Sequence, residues 1–269
     1  MLVGPLSRTL AGMKPTASTT GTVIHEVFRQ AYERGERPAL VDLRGGHVYG
    51  YRRLVTEVTR AASGLVRRGA RRDQVVGVLV STAGAQTLAV HTVLAAGGVA
   101  APIDPSLGAG EMAARLRECD ARTLITTPDL AETAVRAADE SRVRQVISLG
   151  AALDTIDFRG LLTLEPTALP VLDAKRQDAL LTADGRRLSH ADLLTRMTEL
   201  DLPVRLAEPD VVLTTWLPDG GGDLVALVGL GMSKGALVVA AGGGDVPGTS
   251  YDFSVTVVTS PEGTLERIR

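Results

Sequence analysis

The chain has 269 residues, 45% of them apolar and only 3% aromatic, with a formal net charge of −2. This composition excludes a disordered chain and predicts a core of Leu, Val and Ala, while the charge gives no bulk attraction to nucleic acid. Cys119, the single cysteine, excludes an intrachain disulfide and fits a reducing cytoplasm, and no run approaches the roughly 20 apolar residues that span a bilayer.

Residues 1–20 read as a loose tail, because the opening apolar stretch lacks a basic flank and is broken by Gly and Pro. In "TVIHEVFRQAYERG", Val23, Val27 and Ala31 fall at helical spacing and Gly35 marks the stop. "PALVDL" and "HVYGY" form a predicted hairpin around Arg44-Gly45-Gly46. The next helix carries Leu54, Val55, Val58, Ala62, Leu65 and Val66 on one face, with Arg67 and Arg68 at its negative end and Gly69 as cap.

An alternation follows: "QVVGVLV" strand, "AQTLAVHTVLAAGG" helix, "VAAPID" strand, "AGEMAARLRECD" helix, "RTLITT" strand, "PDLAETAVRAA" helix and "RQVISLG" strand. This order calls for a parallel sheet with right-handed crossovers, so residues 21–150 are expected to form a first α/β subdomain. The rhythm is lost over 151–176, which reads as a connector. Residues 177–269 begin a second, partial α/β subdomain: "QDALLT" strand, "SHADLLTRMTEL" helix, "DVVLTTW" strand, "GDLVALVGLGM" helix, "GALVVAAGG" and "FSVTVVTS" strands, and "PEGTLERIR" helix. The fold class is α/β, a mostly parallel, doubly wound sheet with helices on both faces plus this second unit.

Residues 37–130 carry a more specific signal. "RPALVD" with "YGYRRLVTEVTRAASGLVRRGARRDQVVGVLV", then "AQTLAVHTVLAAGGVAAPIDPSLGAGEMAARLRECDARTLIT", resembles the opening of the adenylate-forming superfamily: acyl-CoA synthetases, luciferases and peptide-synthetase adenylation domains. That resemblance implies the fold of the superfamily's N-terminal half. It also implies a Ser/Thr/Gly-rich loop with a lysine, between a strand and a Thr-His helix start, holding ATP phosphates.

At that place the chain reads "LLTADGRRLSHADLL". Strand and helix start are kept, the loop and its lysine are missing, and Thr182, Gly185 and Arg186 are its remnant; Asp184 would repel a triphosphate. The superfamily's "L-P-x-x-H" turn is replaced by "WLPDGGGD". Its Tyr-Gly-x-Thr-Glu motif, hinge and C-terminal catalytic lysine domain are not found in these residues.

Other candidates are weaker. Asp184, Ser189, His190 and Asp219 form a polar set that could meet at strand ends, but Ser189 with Asp192 reads first as a capping box, and His190 at the first helical position is expected to face water. "GLGMSKG" reads as a helix end and not a dinucleotide fingerprint, the glycine triplets at 220–222 and 242–244 as loops, and Arg67, Arg68, Arg71 and Arg72 as a solvated turn. Trp216 is core or pocket wall. His25, His47, His91 and His190 are scattered without metal spacing.

The resulting expectation is a degenerate, non-catalytic acyl-CoA synthetase-like protein of the cytoplasm, with no cofactor and no metal. It is expected to act as a homodimer or as a heteromer with a biosynthetic protein, through an exposed apolar face, with an acyl group or carrier protein as ligand and neither nucleic acid nor membrane as partner. The alternatives are a repurposed ATP-independent enzyme acting on an acyl or thioester substrate, and half of a two-chain acyl-adenylating ligase.

Overall fold

Gly46, at φ +66°, turns the chain between β1 (Pro38–Asp42) and β2 (His47–Gly50), which pair antiparallel as the Gly-Gly signal predicts. The computed structural model describes residues 21–162, 167–170, 172–216, 222–242, 252–260 and 263–268. The predicted tail 1–20, Asp219 and most of both glycine triplets lie outside these residues.

Before the hairpin, the single predicted helix is two: α1 (Val23–Phe28), capped by the Thr22 hydroxyl, and α2 (Ala31–Arg34), closed by Gly35 at φ +60°. After it, α3 (Tyr51–Arg67) buries Leu54, Val55, Val58, Ala62 and Leu65 of the predicted face and leaves Val66 half-buried. β3 (Val75–Leu79) is buried at all five positions, as a strand covered on both faces requires. α4 (Ala83–Ala95) is buried throughout, β4 (Val99–Pro102) follows, and α5 (Ala109–Glu118) ends at the half-buried Cys119. β5 (Thr123–Thr126), a 3-10 turn at Pro128–Leu130, α6 (Ala131–Asp139) and β6 (Gln145–Ser148) complete the alternation.

The expected connector contains β7 (Ile156–Asp157), which extends this sheet beside β6, and α7 (Arg159–Leu162), which lies against α3. Then come β8 (Asp178–Leu181), β9 (Arg187–Ser189) and α8 (His190–Asp201). The remaining elements are β10 (Val211–Thr214), α9 (Asp223–Lys234), β11 (Leu237–Ala240), β12 (Val257–Thr259) and β13 (Leu265–Arg267). Gly235, at φ +84°, caps α9, so "GLGMSKG" is a helix end, in line with its pattern.

Among the described residues the strands form two sheets, β7-β6-β5-β3-β4-β8-β9 and β13-β12-β10-β11-β1-β2. Each draws strands from both sides of 151–176, so the linear split into 21–150 and 177–269 does not follow the sheets. β8 fills the free edge of β4, with Ala100 opposite Leu180, and β1 inserts between β2 and β11, with Leu40 opposite Val238. α4 lies between the sheets, touching β1 on one side and β3 and β4 on the other. Asp42, buried at the end of β1, accepts from the Gly84 N–H at 3.0 Å and from the Gly45 N–H at 3.0 Å. It thereby pins the first hairpin to the positive end of α4.

The final segment is a correction. The pattern of "PEGTLERIR" predicts a helix, yet Leu265–Arg267 pairs antiparallel with β12. Gly263 at φ +81° turns the chain, Leu265 is buried and Glu266 faces out. Arg267 reaches Asp210 with both terminal nitrogens, at 2.8 and 3.0 Å, and the Val204 carbonyl with Nε at 3.0 Å. These long-range bonds outweigh the weak helical preference of so short a segment.

Candidate functional site

β8 and β9 are the arms of a second hairpin, so the stretch expected to pass from strand through glycine turn into helix contains an additional strand before the helix. The turn is closed by its own polar groups. The Gly185 N–H, at φ +83°, donates to the Thr182 carbonyl at 2.9 Å, and the Thr182 N–H donates to the Arg186 carbonyl at 2.9 Å. The Asp184 carboxylate accepts from the Thr182 hydroxyl, from Arg186 Nε at 2.8 Å and from the Arg186 N–H at 3.4 Å. These bonds, the hydroxyl's foremost, hold the Asp184 carboxyl down at about 2, so it is ionised at neutral pH.

The turn borders a cleft of about 440 Å³, with Asp192 and Arg196 from α8 and Asp223 from α9 on the other walls. Arg186 is paired with Asp184 at 2.8 Å, and Arg196 with Asp223 at 2.7 Å. Asp184, Asp192 and Asp223 thus stand against two guanidiniums, Arg186 and Arg196, each of which is already neutralised. A polyphosphate placed here would meet a negative wall.

Ser189 is the predicted cap: its Oγ accepts from the Asp192 N–H at 3.2 Å, and Asp192 Oδ2 accepts from the Ser189 N–H at 2.8 Å and its hydroxyl at 2.7 Å. His190 corrects the sequence reading. It is buried, because the segment before β8 covers the start of α8: the His190 N–H donates to the Gln177 carbonyl and the Ala191 N–H to the Ala174 carbonyl, both at 3.2 Å. Burial pushes its imidazole down to about 4 and leaves Nδ1 without a hydrogen-bond partner among the described residues.

Asp184, Ser189 and His190 are therefore not assembled into one site. Asp184 lies at the cleft, while Ser189 and His190 are absent from its lining. Trp216 is half-buried against the main core. Sequence reading missed Arg196 and Asp223, which meet across 27 residues of chain without any local signal.

A family model described as AMP-binding enzyme matches residues 27–180, more than half of the chain. The chain belongs to the AMP-binding enzyme family. A plipastatin synthase of Bacillus subtilis (strain 168) is 33% identical over 128 residues, 47% of this chain and 5% of that protein. Tyrocidine synthase 3 of Brevibacillus parabrevis is 27% identical over 107 residues, 40% of this chain and 2% of that protein. A Mycobacterium tuberculosis fatty acyl CoA synthetase superposes with a TM-score of 0.78 at 17% identity, over 91% of this chain and 50% of that one.

The chain thus spans half the length of that fatty acyl CoA synthetase and small fractions of the two peptide synthases. The mostly parallel sheets with helices on both faces are the N-terminal fold of adenylate-forming enzymes, as the sequence implies. No helix among the described residues is long and apolar enough to cross a membrane.

Proposed function

We propose that this chain is a non-catalytic member of the AMP-binding family that serves as a binding or assembly component in acyl or carrier-protein biosynthesis. One observation carries the reading: where the superfamily's phosphate loop is implied, the chain makes a closed hairpin turn beside a cleft whose arginines are both ion-paired. The family match also stops at residue 180, before this turn. Backbone amides can hold phosphate only when they are free to donate. Here the Thr182 and Gly185 amides donate within the turn, and the Asp184 charge stands beside them.

An ATP-independent catalyst built on the Asp184, Ser189 and His190 set has less support, since Ser189 is engaged in its cap and His190 is buried away from the cleft. The partner is part of the proposal, whether a second copy, a biosynthetic protein or a carrier protein. The apolar face expected for it would draw on Tyr32, Leu43, Val48, Leu153, Leu202 and Ile268, the exposed large apolar side chains among the described residues.

The test is ATP–pyrophosphate exchange with a panel of fatty, aromatic and amino-acid carboxylates. Exchange is expected to stay at the no-enzyme background with every acid. Exchange that depends on any one of them contradicts the proposal.

A further inference from the structure

A second cleft, of about 620 Å³, lies at the opposite ends of the strands of the seven-stranded sheet. The turn at Thr182 follows the C-terminal end of β8, whereas this cleft opens where β3, β5 and β6 begin. All of these strands run parallel. Its place is thus away from the carboxyl ends of the strands, where open α/β sheets keep their reaction sites.

Its lining reverses the charge of the first cleft. Arg68, Arg71, Arg72, Arg122 and Arg144 face it with a single carboxylate, Asp73. The topology gathers them. Arg71 and Arg72 precede β3, Arg122 precedes β5 and Arg144 precedes β6, and these three strands are adjacent in the order β6-β5-β3. The Arg144 N–H donates to the Arg122 carbonyl at 2.9 Å, which sets those two arginines side by side. Arg68 joins from the end of α3, its Nε donating to Gln145 Oε1 at 3.1 Å.

The compensation is partial. Arg122 is paired with Asp120 at 3.0 Å, and Arg72 stands 3.8 Å from Asp73. Arg68 has only an uncharged amide, and Arg71 and Arg144 have no carboxylate within ion-pair distance among the described residues. The negative end of α3 accounts for Arg68 but not for the arginines at the strand entrances.

We propose that this cleft binds a small molecule bearing two or more phosphates. Guanidinium groups grip phosphate oxygens in pairs, and several at one edge suit a polyphosphate better than a single anion. The volume falls within the range of about 300–1,000 Å³ usual for small-molecule sites. It leaves room for an organic portion against Leu65, Ala70 and Thr123. The concave shape, and the absence of aromatic residues from the lining, favour such a ligand over a nucleic-acid strand.

The experiment is calorimetric titration of the full chain with sodium tripolyphosphate at low salt. It is repeated on the Arg71→Gln/Arg144→Gln double variant and on Arg186→Gln, with melting curves confirming that each is folded. Saturable binding is expected in the parent and in Arg186→Gln, weakened by more than about tenfold in the double variant. No saturable binding, or equal binding in all three, overturns the proposal. Loss in Arg186→Gln alone also overturns it, and would move the anion to the first cleft and count against the proposed function instead. Tighter binding of a single-stranded oligonucleotide, lost in the double variant, would make the surface a nucleic-acid site and likewise overturn it.

Discussion

Acidification from pH 6.5 to about pH 4 is expected to cost the folded chain up to about 3 kcal/mol at each of two buried histidines, His91 and His190. Both are 1% exposed, and burial, which disfavours the imidazolium, pushes each down from 6.5 to about 4. His91 has one hydrogen bond, between Nδ1 and the Thr87 carbonyl at 2.7 Å, and its Nε2 has no partner among the described residues. Its ring lies against Phe28, with centroids 5.9 Å apart, so a proton there brings charge into an apolar contact.

Between the two pKa values the unfolded chain binds more protons than the folded one. The stability is therefore full above about pH 6.5 and falls as the pH drops toward 4. The shifted carboxylates among the described residues, Asp120, Asp184, Asp192 and Asp210, are all shifted downward, so their contribution is lost only below about the ordinary carboxylate value. Urea unfolding across the window should show the loss, and His190→Gln should flatten the slope by about half. A stability that does not change with pH over that range, or an unchanged slope in the variant, would show that these imidazoles are not held neutral by burial.

Gly64→Ala is expected to destabilise the chain by about 2–3 kcal/mol, although alanine is the better helix former by about 1 kcal/mol. Gly64 is where α3 crosses α7. A Cβ there would stand 2.5 Å from the Leu161 carbonyl oxygen, 2.7 Å from Leu161 Cβ and 2.8 Å from Leu161 Cα. Two of these three atoms are backbone, so no rotamer change relieves the clash and α7 must move off α3. Gly110→Ala is the matched control, because Gly110 is helical and nothing lies within 4 Å of its added Cβ. Thermal melts should show Gly64→Ala lowered and Gly110→Ala unchanged or raised. Equal effects would mean that α7 is not seated on α3 as described.

These residues also show what local pattern can reveal. The apolar runs of β3, β5 and β6 and the glycine at Gly46 are legible because strand burial and turn chemistry are local properties. The capping box at Ser189 is legible for the same reason. Sheet neighbours are not, because a crossover leaves the partner of β1 or β4 to be chosen by packing far along the chain. His190 departs from its sequence expectation because a first-turn position says water, while its burial comes from residues 174–177 folding over the helix start. The two clefts differ likewise. Asp184 and Arg186 are visible beside one another, but the meeting of Arg122 and Arg144 exists only once β5 and β6 pair.

On the proposed reading the Thr182–Arg186 turn holds no nucleotide phosphate, because its Thr182, Gly185 and Arg186 amides already donate within the turn and the Asp184 carboxylate stands beside the amides that remain. Crystals of the chain soaked with ATP and magnesium test it directly. The turn is expected to keep its Thr182–Gly185 and Asp184–Arg186 bonds with no nucleotide density against it, whatever binds at the arginine cleft at the far ends of the strands. Triphosphate density seated on the Ala183, Asp184 and Gly185 amides would contradict it.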